Sequence, residues 1–446
     1  MERFAGLEPQ FAGHDVAAAA AAASRFFQTG AALLERLPSK PTRSTHEQAA
    51  AAAIYEQLRH ARVRFMRAFG PQVYDELTDQ RRRTVRIDEL VYLAAERYPG
   101  LVPTRQQIQA ERAHPQKDKE GHEIDQGLFL SQLLSHPLVG LHLLYAMQRP
   151  LAESLELLEE FRHTGALDLG NTTIERRGSV GYLWHGNPRY LNAEDDAVIR
   201  TLEIGTDLIL LDPAIEVGVL RGKKVEHPKY AGRHVYNAGI NLTHLYEGQI
   251  SFLDFFIVRE MGYLHKMFRG LSRPEFWPNE VEDTLEKPWI AAVETFAIGG
   301  GCQQLLAMDR VLAERSSYFN LPARKEGIIP GASNMRLWRF VGDRLARQAI
   351  LFERQFAADS PEGQLICDEV VPDGEMDAAV ERTVDALLGS GVVSAAGNRK
   401  AMRIGQEPID QFRQYMAVYC REQAYCHYSP QLIRNLEKNW KGTKRA

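Results

Sequence analysis

The 446-residue sequence has few cysteines, no excess of positive charge and no long apolar run. Its four cysteines, Cys302, Cys367, Cys420 and Cys426, are irregularly spaced, which argues against a disulfide framework and a CxxC metal pair and favours a reducing cytoplasm. With 54 Lys and Arg against 58 Asp and Glu, the formal net charge is -4. Such a chain offers no basic field to nucleic acid or anionic lipid. We therefore expect a small-molecule partner and no nucleic acid.

Two stretches have some features of a leader peptide or a membrane span. The alanine run at 17–23 follows Glu2 and Asp15 rather than a Lys/Arg cluster, which is typical of a helix and not of a signal peptide. The stretch "PLVGLHLLYAMQRPLAESLELL" is interrupted by His142 and Glu153. It falls short of the roughly 18 apolar residues that a spanning helix requires. We expect no membrane segment.

The pattern of the sequence changes twice along the chain. Residues 1–202 are alanine-rich and place apolar residues at i, i+3 and i+4, as in "SLELLEEF", which predicts an all-α N-terminal domain. Residues 203–375 alternate short apolar runs with helical segments. Residues 376–446 return to helical periodicity in "EMDAAVERTVDALL" and "PIDQFRQYMAVYCREQAY". The sequence therefore predicts a helical N-terminal domain, a middle domain and a C-terminal helical region.

The middle region has the pattern of an α/β domain. The runs "DLILLD", "IEVGVLRG" and "PWIAAVETFAI" are short, apolar or alternating and bounded by Asp, Pro or Gly, so they predict strands. "RHVYNAGINL" predicts a strand and a loop, and "SFLDFFIVREMGYLHKMF" and "CQQLLAMDRVL" predict helices. Strands separated by helices favour a largely parallel sheet. We expect an α/β core flanked by helical regions.

A glycine triplet, Gly299–Gly301, lies between the last predicted strand and a predicted helix. Glycine lets the backbone approach a ligand closely, and the first amides of a helix have no acceptor within that helix. Such a turn suits an anion or a developing oxyanion. The simpler alternative is a plain tight turn, and the Lys-Ser/Thr ending of a phosphate-binding loop is absent.

The triplet belongs to a longer series of motifs, in the order "NAGINL", "KPWIAAVETFAIGGGCQQLLAMD", "IIPGASNMRL" and "FVGDRLARQAI". On these motifs, the chain from about 203 to 375 resembles the crotonase (enoyl-CoA hydratase/isomerase) superfamily. The resemblance implies a ββα superhelix that assembles into homotrimers, often paired as homohexamers. It also implies that an acyl-CoA thioester binds with its carbonyl oxygen between the backbone amides of Ile240 and Gly300, which lowers the cost of forming an enolate.

Two departures from the superfamily pattern remove its water chemistry. Hydratases of this superfamily carry glutamates where this chain has Gln303 and Ala323, and those glutamates move protons around a water molecule. Without them, addition of water to a double bond is not expected. Ala323 and Ile328 instead predict a small apolar space beside the carbanion, which suits dioxygen. The alternative is that Ala323 marks a degenerate enzyme.

The whole chain also resembles the cofactor-independent dioxygenases of the superfamily, which carry a long helical N-terminal extension. The resemblance rests on "GRHVYNAGINLTHLYEGQISFLDFFIVRE", "GGGCQ" and "LPARKEGIIPGASN". It implies conversion of 3,5-dihydroxyphenylacetyl-CoA and O2 to 3,5-dihydroxyphenylglyoxylate and CoA, in glycopeptide-antibiotic biosynthesis. No metal or organic cofactor is implied, because the substrate carbanion itself reduces oxygen.

The resemblance assigns roles to individual side chains. Arg259 matches a cation beside the substrate that stabilises enolate or peroxide charge, and an ordinary helix-surface ion pair, for example with Asp254, is the alternative. Gln303 suits orientation of the ring or of oxygen, because an amide hydrogen-bonds without proton transfer. The expected catalytic set is Ile240, Gly300, Arg259 and Gln303. The expected substrate-binding residues are Glu194 at the phenolic ring, His227 at the thioester entrance, and Arg233, Tyr236, Asn237, Ala238, Gly239, Leu242 and Gly301. Candidate partners of the CoA phosphates are Lys223, Lys224 and Arg233.

Two other functions remain open at this point. A crotonase-type hydrolase or isomerase would share the amide pair and would need a carboxylate at 303, at 323 or elsewhere in the pocket. A non-catalytic CoA-binding protein would share the fold alone. No metal site is expected, because the histidines and cysteines lack the usual ligand spacing. The sequence does not identify the group that removes the first proton.

Overall fold

In the computed structural model, the described residues are 4, 6–11, 15–273, 283–389 and 391–439. The chain forms two compact units, and it enters each of them more than once. The first unit comprises Met1–Met147, Thr243–Leu253 and Asp410–Ala446, and the second comprises Gln148–Leu242 and Asp254–Ile409. The predicted boundary after residue 202 lies inside the helix Asp196–Leu211, which is continuous.

The first unit is built of helices with clear capping signals. Ser44 and Glu47 form a capping box, in which each side chain bonds the other residue's backbone amide, and Thr104 and Gln107 form another. The alanine run at 17–23 is helical, as predicted. The helices of this part of the chain are Val16–Leu34, Thr45–Leu77, Ile87–Arg97, Arg105–Arg112, Glu123–Ser135, Pro137–Met147, Leu242–Tyr246, Ile409–His427 and Pro430–Asn439.

The second unit contains the strands. They are β1 (Ala166–Asp168), β2 (Thr172–Arg177), β3 (Val180–His185), β4 (Val217–Gly222), β5 (Leu271–Ser272), β6 (Thr284–Leu285), β7 (Trp289–Val293), β8 (Phe296–Ile298), β9 (Arg310–Glu314), β10 (Tyr318–Asn320), β11 (Gln355–Ala357) and β12 (Glu369–Val371). The helices are Ala152–Thr164, Asp196–Leu211, Val258–Met261, Tyr263–Arg269, Gly300–Leu305, Ala323–Glu326, Ser333–Phe352, Met376–Leu388 and Val392–Gln406, and a π-helix spans Phe252–Ile257.

The main sheet has seven strands in the order β1-β2-β3-β4-β7-β9-β12. The pairs from β3 to β12 are all parallel, and β1-β2-β3 pair antiparallel. Its core packs against Met376–Leu388, where buried residues such as Val219, Leu312 and Val380 share one apolar cluster. A smaller sheet, β11-β10-β8, carries the glycine turn at the end of β8. The predicted α/β class is confirmed.

The prediction that residues 1–202 are all helical is wrong at β1, β2 and β3. The strand Thr172–Arg177 alternates buried and half-buried side chains, and Val180–His185 is buried along almost its whole length. The two threonines of β2 and the aromatic run "VGYLWH" of β3 favour strands, because β-branched and aromatic side chains pack well on a pleated surface. These strands extend the main sheet at one edge.

Three predicted elements in the middle region are also corrected. "DLILLD" is the end of the helix Asp196–Leu211, whose residues from Leu202 to Leu210 are all buried. A helix buried on every side and a buried strand give the same unbroken apolar run, so periodicity does not separate them. "CQQLLAMDRVL" is helical to Leu305 and enters β9 at Arg310.

The single strand predicted over "PWIAAVETFAI" is two strands in different sheets. The chain leaves β7 at Val293, turns at Thr295 with φ 67°, and continues as β8 in the smaller sheet. A β-branched residue at positive φ is uncommon, and here its hydroxyl donates to the carbonyl of His234 at 2.7 Å. This corner directs β8 and the glycine turn toward the segment at 237–241.

Within the described ranges, no single helix is both long and apolar enough to cross a membrane. The helical segments that begin at Glu123 and Pro137 are long and apolar enough only when they are taken together, and a 113° bend separates them.

Candidate active site

The first predicted oxyanion donor, Ile240, lies on a short extended segment between two neighbours. Asn237 pairs with β8, since its amide donates to Phe296 at 3.3 Å and its carbonyl accepts from Ile298 at 2.9 Å. Ile240 pairs with Glu194 in a parallel β-bridge. The Glu194 amide donates to the carbonyl of Gly239, and the Glu194 carbonyl accepts from the amide of Asn241, both at 2.7 Å. This register leaves the N–H of Ile240 pointing away from Glu194, and it has no acceptor among the described residues.

The second predicted donor, Gly300, follows a turn that is tied down on one side. Gly299 donates to the carbonyl of Asn320 at 2.7 Å, and the helix Gly300–Leu305 begins directly after it. The amide of Gly300 therefore lies in the first turn of this helix, where it finds no acceptor in the described part of the chain.

The two donors are held side by side by a close approach at Gly239. Its φ is +83°, and a Cβ built there would lie 2.9 Å from the carbonyl oxygen of Ile298 and 3.1 Å from the amide nitrogen of Gly300. Only glycine tolerates both the conformation and the contact. The residue that precedes Ile240 thus touches the turn that carries Gly300. Two free amides so placed can bind one oxyanion.

Beneath the turn is a buried ion network centred on Arg259. Its Nε donates to Oε2 of Glu194 at 2.8 Å, its guanidinium donates to Oε1 of Glu260 at 2.6 Å, and Nη2 donates to the carbonyl of Gly300 at 2.7 Å. Arg259 is 3% exposed. Burial lowers the pKa of Arg259, but the attraction of Glu194 and Glu260 outweighs it and holds the pKa well above the usual value.

This network gives Arg259 a role that differs from the predicted one. One guanidinium faces two carboxylates, so the cluster offers no net positive charge to an enolate or peroxide. The alternative, a helix-surface ion pair, is wrong, because the ion pair that Arg259 forms is buried and its partners are Glu194 and Glu260. Its bond to the Gly300 carbonyl fixes the peptide plane between Gly300 and Gly301, which adjoins the donor amide. Arg259 is therefore placed to position the oxyanion donor, and direct contact with substrate stays a prediction.

Glu194 is wholly enclosed by hydrogen bonds. Its Oε1 accepts from the hydroxyl of Tyr263 at 2.7 Å and from Nε2 of Gln304 at 2.9 Å, while Oε2 accepts from Arg259. Burial, with the neighbouring Glu194 charge, raises the pKa of Tyr263 well above its usual value, so this phenol stays a donor. Gln304 also accepts from Asn237 at 3.2 Å. These partners already occupy both carboxylate oxygens of Glu194. Its contact with a phenolic ring stays a prediction.

Gln303 is half-buried at the edge of the network. Its Oε1 accepts from Arg259 at 2.8 Å, which orients the side-chain amide. Its Nε2 donates to no acceptor in the described ranges. This geometry suits the predicted role, in which the amide would orient a substrate ring or oxygen.

The predicted oxygen pocket lies on one turn of chain. Ala323 is 3% exposed and begins the helix Ala323–Glu326, and its carbonyl accepts from the amide of Ile328 at 3.0 Å. Glu326 lies on the same turn, and sequence reasoning missed it. A signal was available, because Glu326 is three residues after Ala323 and a short helix places such residues on one face. The wall predicted as wholly apolar therefore includes a carboxyl.

The remaining predicted binding residues lie at different depths. Tyr236 is fully buried with its ring edge-on to His185 at 6.0 Å, and Asn237 turns back to bond the Gly239 amide at 2.6 Å. Gly301 packs so closely on Asn237 that a Cβ would lie 2.7 Å from its backbone oxygen. These residues shape the backbone of the site.

The outer residues lie toward the surface of the same unit. Ala238 and Leu242 are half-buried, and Arg233 and Lys224 are exposed. The half-buried His227 accepts from the Lys229 amide at 3.3 Å. Lys223 donates to the Gly170 carbonyl at 2.9 Å. The exposed cations remain candidates for the CoA phosphates. No cluster of three metal-ligating side chains occurs in the part of the chain that the structure describes.

Comparison with known proteins gives the family. The enoyl-CoA hydratase/isomerase family profile matches residues 276–418. Over 401 residues the chain is 49% identical to the (3,5-dihydroxyphenyl)acetyl-CoA 1,2-dioxygenase of Amycolatopsis orientalis, an alignment that covers 90% of this chain and 91% of that protein. It is 26% identical over 243 residues to the short-chain-enoyl-CoA hydratase of Clostridium acetobutylicum, covering 54% of this chain and 84% of the hydratase.

Solved structures agree on the fold. An enoyl-CoA hydratase from Mycobacterium avium subsp. paratuberculosis K-10 superposes with a TM-score of 0.50 at 20% identity, covering 60% of this chain and 99% of that chain. Pseudomonas aeruginosa OdaA gives 0.51 at 18% identity, covering 61% and 99%. The predicted crotonase fold is confirmed. The chain belongs to the crotonase superfamily and, within it, to the family of the (3,5-dihydroxyphenyl)acetyl-CoA 1,2-dioxygenase.

Proposed function

We propose that this chain is a dioxygenase that converts 3,5-dihydroxyphenylacetyl-CoA and O2 to 3,5-dihydroxyphenylglyoxylate and CoA without metal or organic cofactor. The observation that carries the proposal is the pair of free amides, Ile240 and Gly300, in a chain 49% identical to a dioxygenase of this name over nine-tenths of its length. The amides suit a thioester oxygen that gains negative charge. They do not by themselves select among the reactions of an enolate.

The first step is loss of a proton from Cα of the bound thioester. The electron pair of the broken C–H bond moves to the carbonyl oxygen, where the Ile240 and Gly300 amides donate to the enolate. Donors fixed before the reaction are worth far more than mobile water, because they need not reorganise as charge develops. The electron-rich ring shares the remaining charge.

The second step joins the carbanion to oxygen. One electron passes from the enolate to O2, and recombination forms a C–O bond that leaves a peroxide at Cα. The terminal peroxide oxygen attacks the thioester carbonyl and expels CoA as thiolate. Cleavage of the O–O bond with loss of the second Cα proton yields the α-keto acid. Both oxygen atoms of O2 end in the product, and CoA takes up one proton.

The surroundings suit this sequence of steps. Ala323 and Ile328 provide an apolar surface on which O2 can bind, and Gln303 offers a free N–H donor to a peroxide. We further propose that the chain works in the cytoplasm, in antibiotic biosynthesis, as a homotrimer or homohexamer.

A hydrolase or isomerase is the second candidate, and Glu326 is the observation that favours it, because such enzymes need a carboxylate in the pocket. A non-catalytic CoA-binding protein is the third. Purified protein incubated with 3,5-dihydroxyphenylacetyl-CoA in an oxygen electrode separates them. Oxygen uptake matched by thiol release supports the dioxygenase, and thiol release alone supports a hydrolase. Double-bond migration is not open to this substrate, so an isomerase, like a binding protein, gives neither.

A further inference from the structure

The proposed reaction needs a base for the Cα proton. The carboxylates around the amide pair differ in whether other groups already bind them, and so in whether they can accept this proton. Glu194 and Glu260 are buried to 0% and 2% exposure, and both are bound by Arg259. The other oxygen of Glu260 accepts from the amide of Ala332 at 2.9 Å. Proton uptake by either group would break a buried ion pair, which costs several kcal/mol. Neither is a suitable base.

Glu326 has none of these ties. Its carboxylate makes no hydrogen bond or salt bridge with a described residue, and the side chain is half-buried. Neither carboxyl oxygen has a hydrogen-bond partner among the described residues, and neither is fully buried. The carboxyl therefore borders open space. It lies between Ala323 and Ile328 on the turn that bounds the predicted oxygen pocket.

The carboxyl also lies close to the glycine turn that precedes Gly300. A Cβ built at Gly299 would lie 3.6 Å from Cα of Gly239 and 4.0 Å from Oε2 of Glu326. Gly299 and Gly239 are the residues directly before Gly300 and Ile240. Glu326 therefore approaches the backbone where Gly299 and Gly239 meet. A thioester whose oxygen binds both amides has its Cα two bonds from that oxygen.

Resting on the proposed function, we propose that Glu326 is the general base that removes the Cα proton. The Cα–H bond breaks, the proton passes to the Glu326 carboxylate, and the electron pair moves to the oxygen held by Ile240 and Gly300. Glu326 gives the proton to the CoA thiolate or to solvent after the thioester opens, so it returns to its starting form. No further reactant is needed.

The electrostatics of the turn agree with this role. Burial raises the pKa of Glu326 to about 8, against the attraction of Lys325 and with the repulsion of Glu353. A carboxylate with a raised pKa is a stronger base, and a catalytic pKa near the working pH is the most effective. Because the charged form is the base, activity is low when pH is below the pKa and rises through it.

The charged groups that face Glu326 allow a matched test. Lys325 lies beside it on its own helix, and Glu353 lies at the end of Ser333–Phe352, 3.4 Å from Arg324 and 3.6 Å from Lys325. The glycine turn brings no charge. Glu353→Gln removes a repulsion and should move the midpoint of the pH profile down. Lys325→Gln removes an attraction and should move it up. The plateau rate should stay within about twofold in both, since neither group enters the proposed chemistry.

The experiment measures hydrogen–deuterium exchange at Cα of 3,5-dihydroxyphenylacetyl-CoA in D2O without oxygen. Titration calorimetry under the same conditions measures binding of this thioester. Glu326→Gln is isosteric and neutral, so it should bind with an unchanged Kd and lose exchange by about 10² to 10⁴-fold, the usual share of a general base. Oxygen uptake in air should fall in the same proportion, because deprotonation precedes it.

The outcomes separate the base from the function. If Glu326→Gln binds normally and exchanges within threefold of wild type, or if the two flanking variants leave the pH midpoint unmoved, Glu326 is not the base. The dioxygenase proposal survives that result if wild type still consumes oxygen. If wild type neither exchanges nor consumes oxygen, the proposed function fails and this inference fails with it.

Discussion

Substitution of Gly300 by alanine tests the most constrained point of the site. A Cβ at this position would collide with Oε2 of Glu194 and lie 3.0 Å from Nη2 of Arg259. Glu194 cannot yield, because Arg259 and Tyr263 hold its carboxylate from two sides at 2.8 and 2.7 Å. The backbone of the turn must move instead, and the Gly300 amide moves with it.

The expected cost follows from the loss of one oxyanion donor. Such a loss reduces turnover by about 10² to 10³-fold, or roughly 2.7 to 4 kcal/mol of transition-state stabilisation. Extra volume in a packed site adds about 1 to 3 kcal/mol to the cost of folding. We therefore expect Gly300→Ala to fold with a lower Tm and to lose turnover. Anaerobic exchange at Cα should fall equally, because enolate formation is the step that needs the donor.

A matched glycine provides the control. Gly405 lies in the helix Val392–Gln406, and, apart from the adjoining backbone of that helix, no atom of the described residues lies within 4 Å of a Cβ built there. Gly405→Ala should keep full activity and gain up to about 1 kcal/mol from better helix propensity. Stability is measured by thermal unfolding and activity by oxygen uptake. A folded Gly300→Ala protein with turnover within threefold of wild type would refute the placement of the second donor.

Three further predictions follow from the same geometry. Ile240→Pro deletes the other N–H donor and should cost about 10² to 10³ in rate, so near-normal turnover of a folded variant would remove that amide from the mechanism. Ala323→Glu buries a carboxylate where oxygen should bind, and oxygen uptake should fall far more than anaerobic Cα exchange; equal losses would contradict the oxygen pocket. Exhaustive chelation should leave activity intact, and loss that one specific metal restores would contradict metal independence.

The sequence predicts the backbone of this site better than its side-chain network. The motifs "NAGINL" and "GGGC" point to Ile240 and Gly300 through the resemblance to the superfamily, because glycine turns leave a signal in the local sequence. The partners of Arg259 leave none, since Glu194 lies 65 residues away along the chain. A charged residue in a helix has the same local pattern whether it is exposed or buried in an ion network.

The secondary structure was predictable where local and tertiary preferences agree. The helices Met376–Leu388 and Ile409–His427 have one apolar stripe and were predicted. The end of Asp196–Leu211 is buried on every side, so its apolar run "LILL" resembles a strand. The superfamily motif marks the hydratase position, Ala323, and leaves no mark on Glu326, which lies one helical turn later on the same face.

The central claim is that both atoms of one O2 molecule enter the product of an enolate held by two amides. Protein supplied with 3,5-dihydroxyphenylacetyl-CoA under ¹⁸O2 tests it directly, with immediate borohydride reduction to trap the keto oxygen before it exchanges with water. Mass spectrometry should find two ¹⁸O atoms in the resulting hydroxy acid, one on each carbon, with one CoA thiol released per O2 consumed. A product with a single ¹⁸O atom, or thiol release without ¹⁸O, would contradict the account.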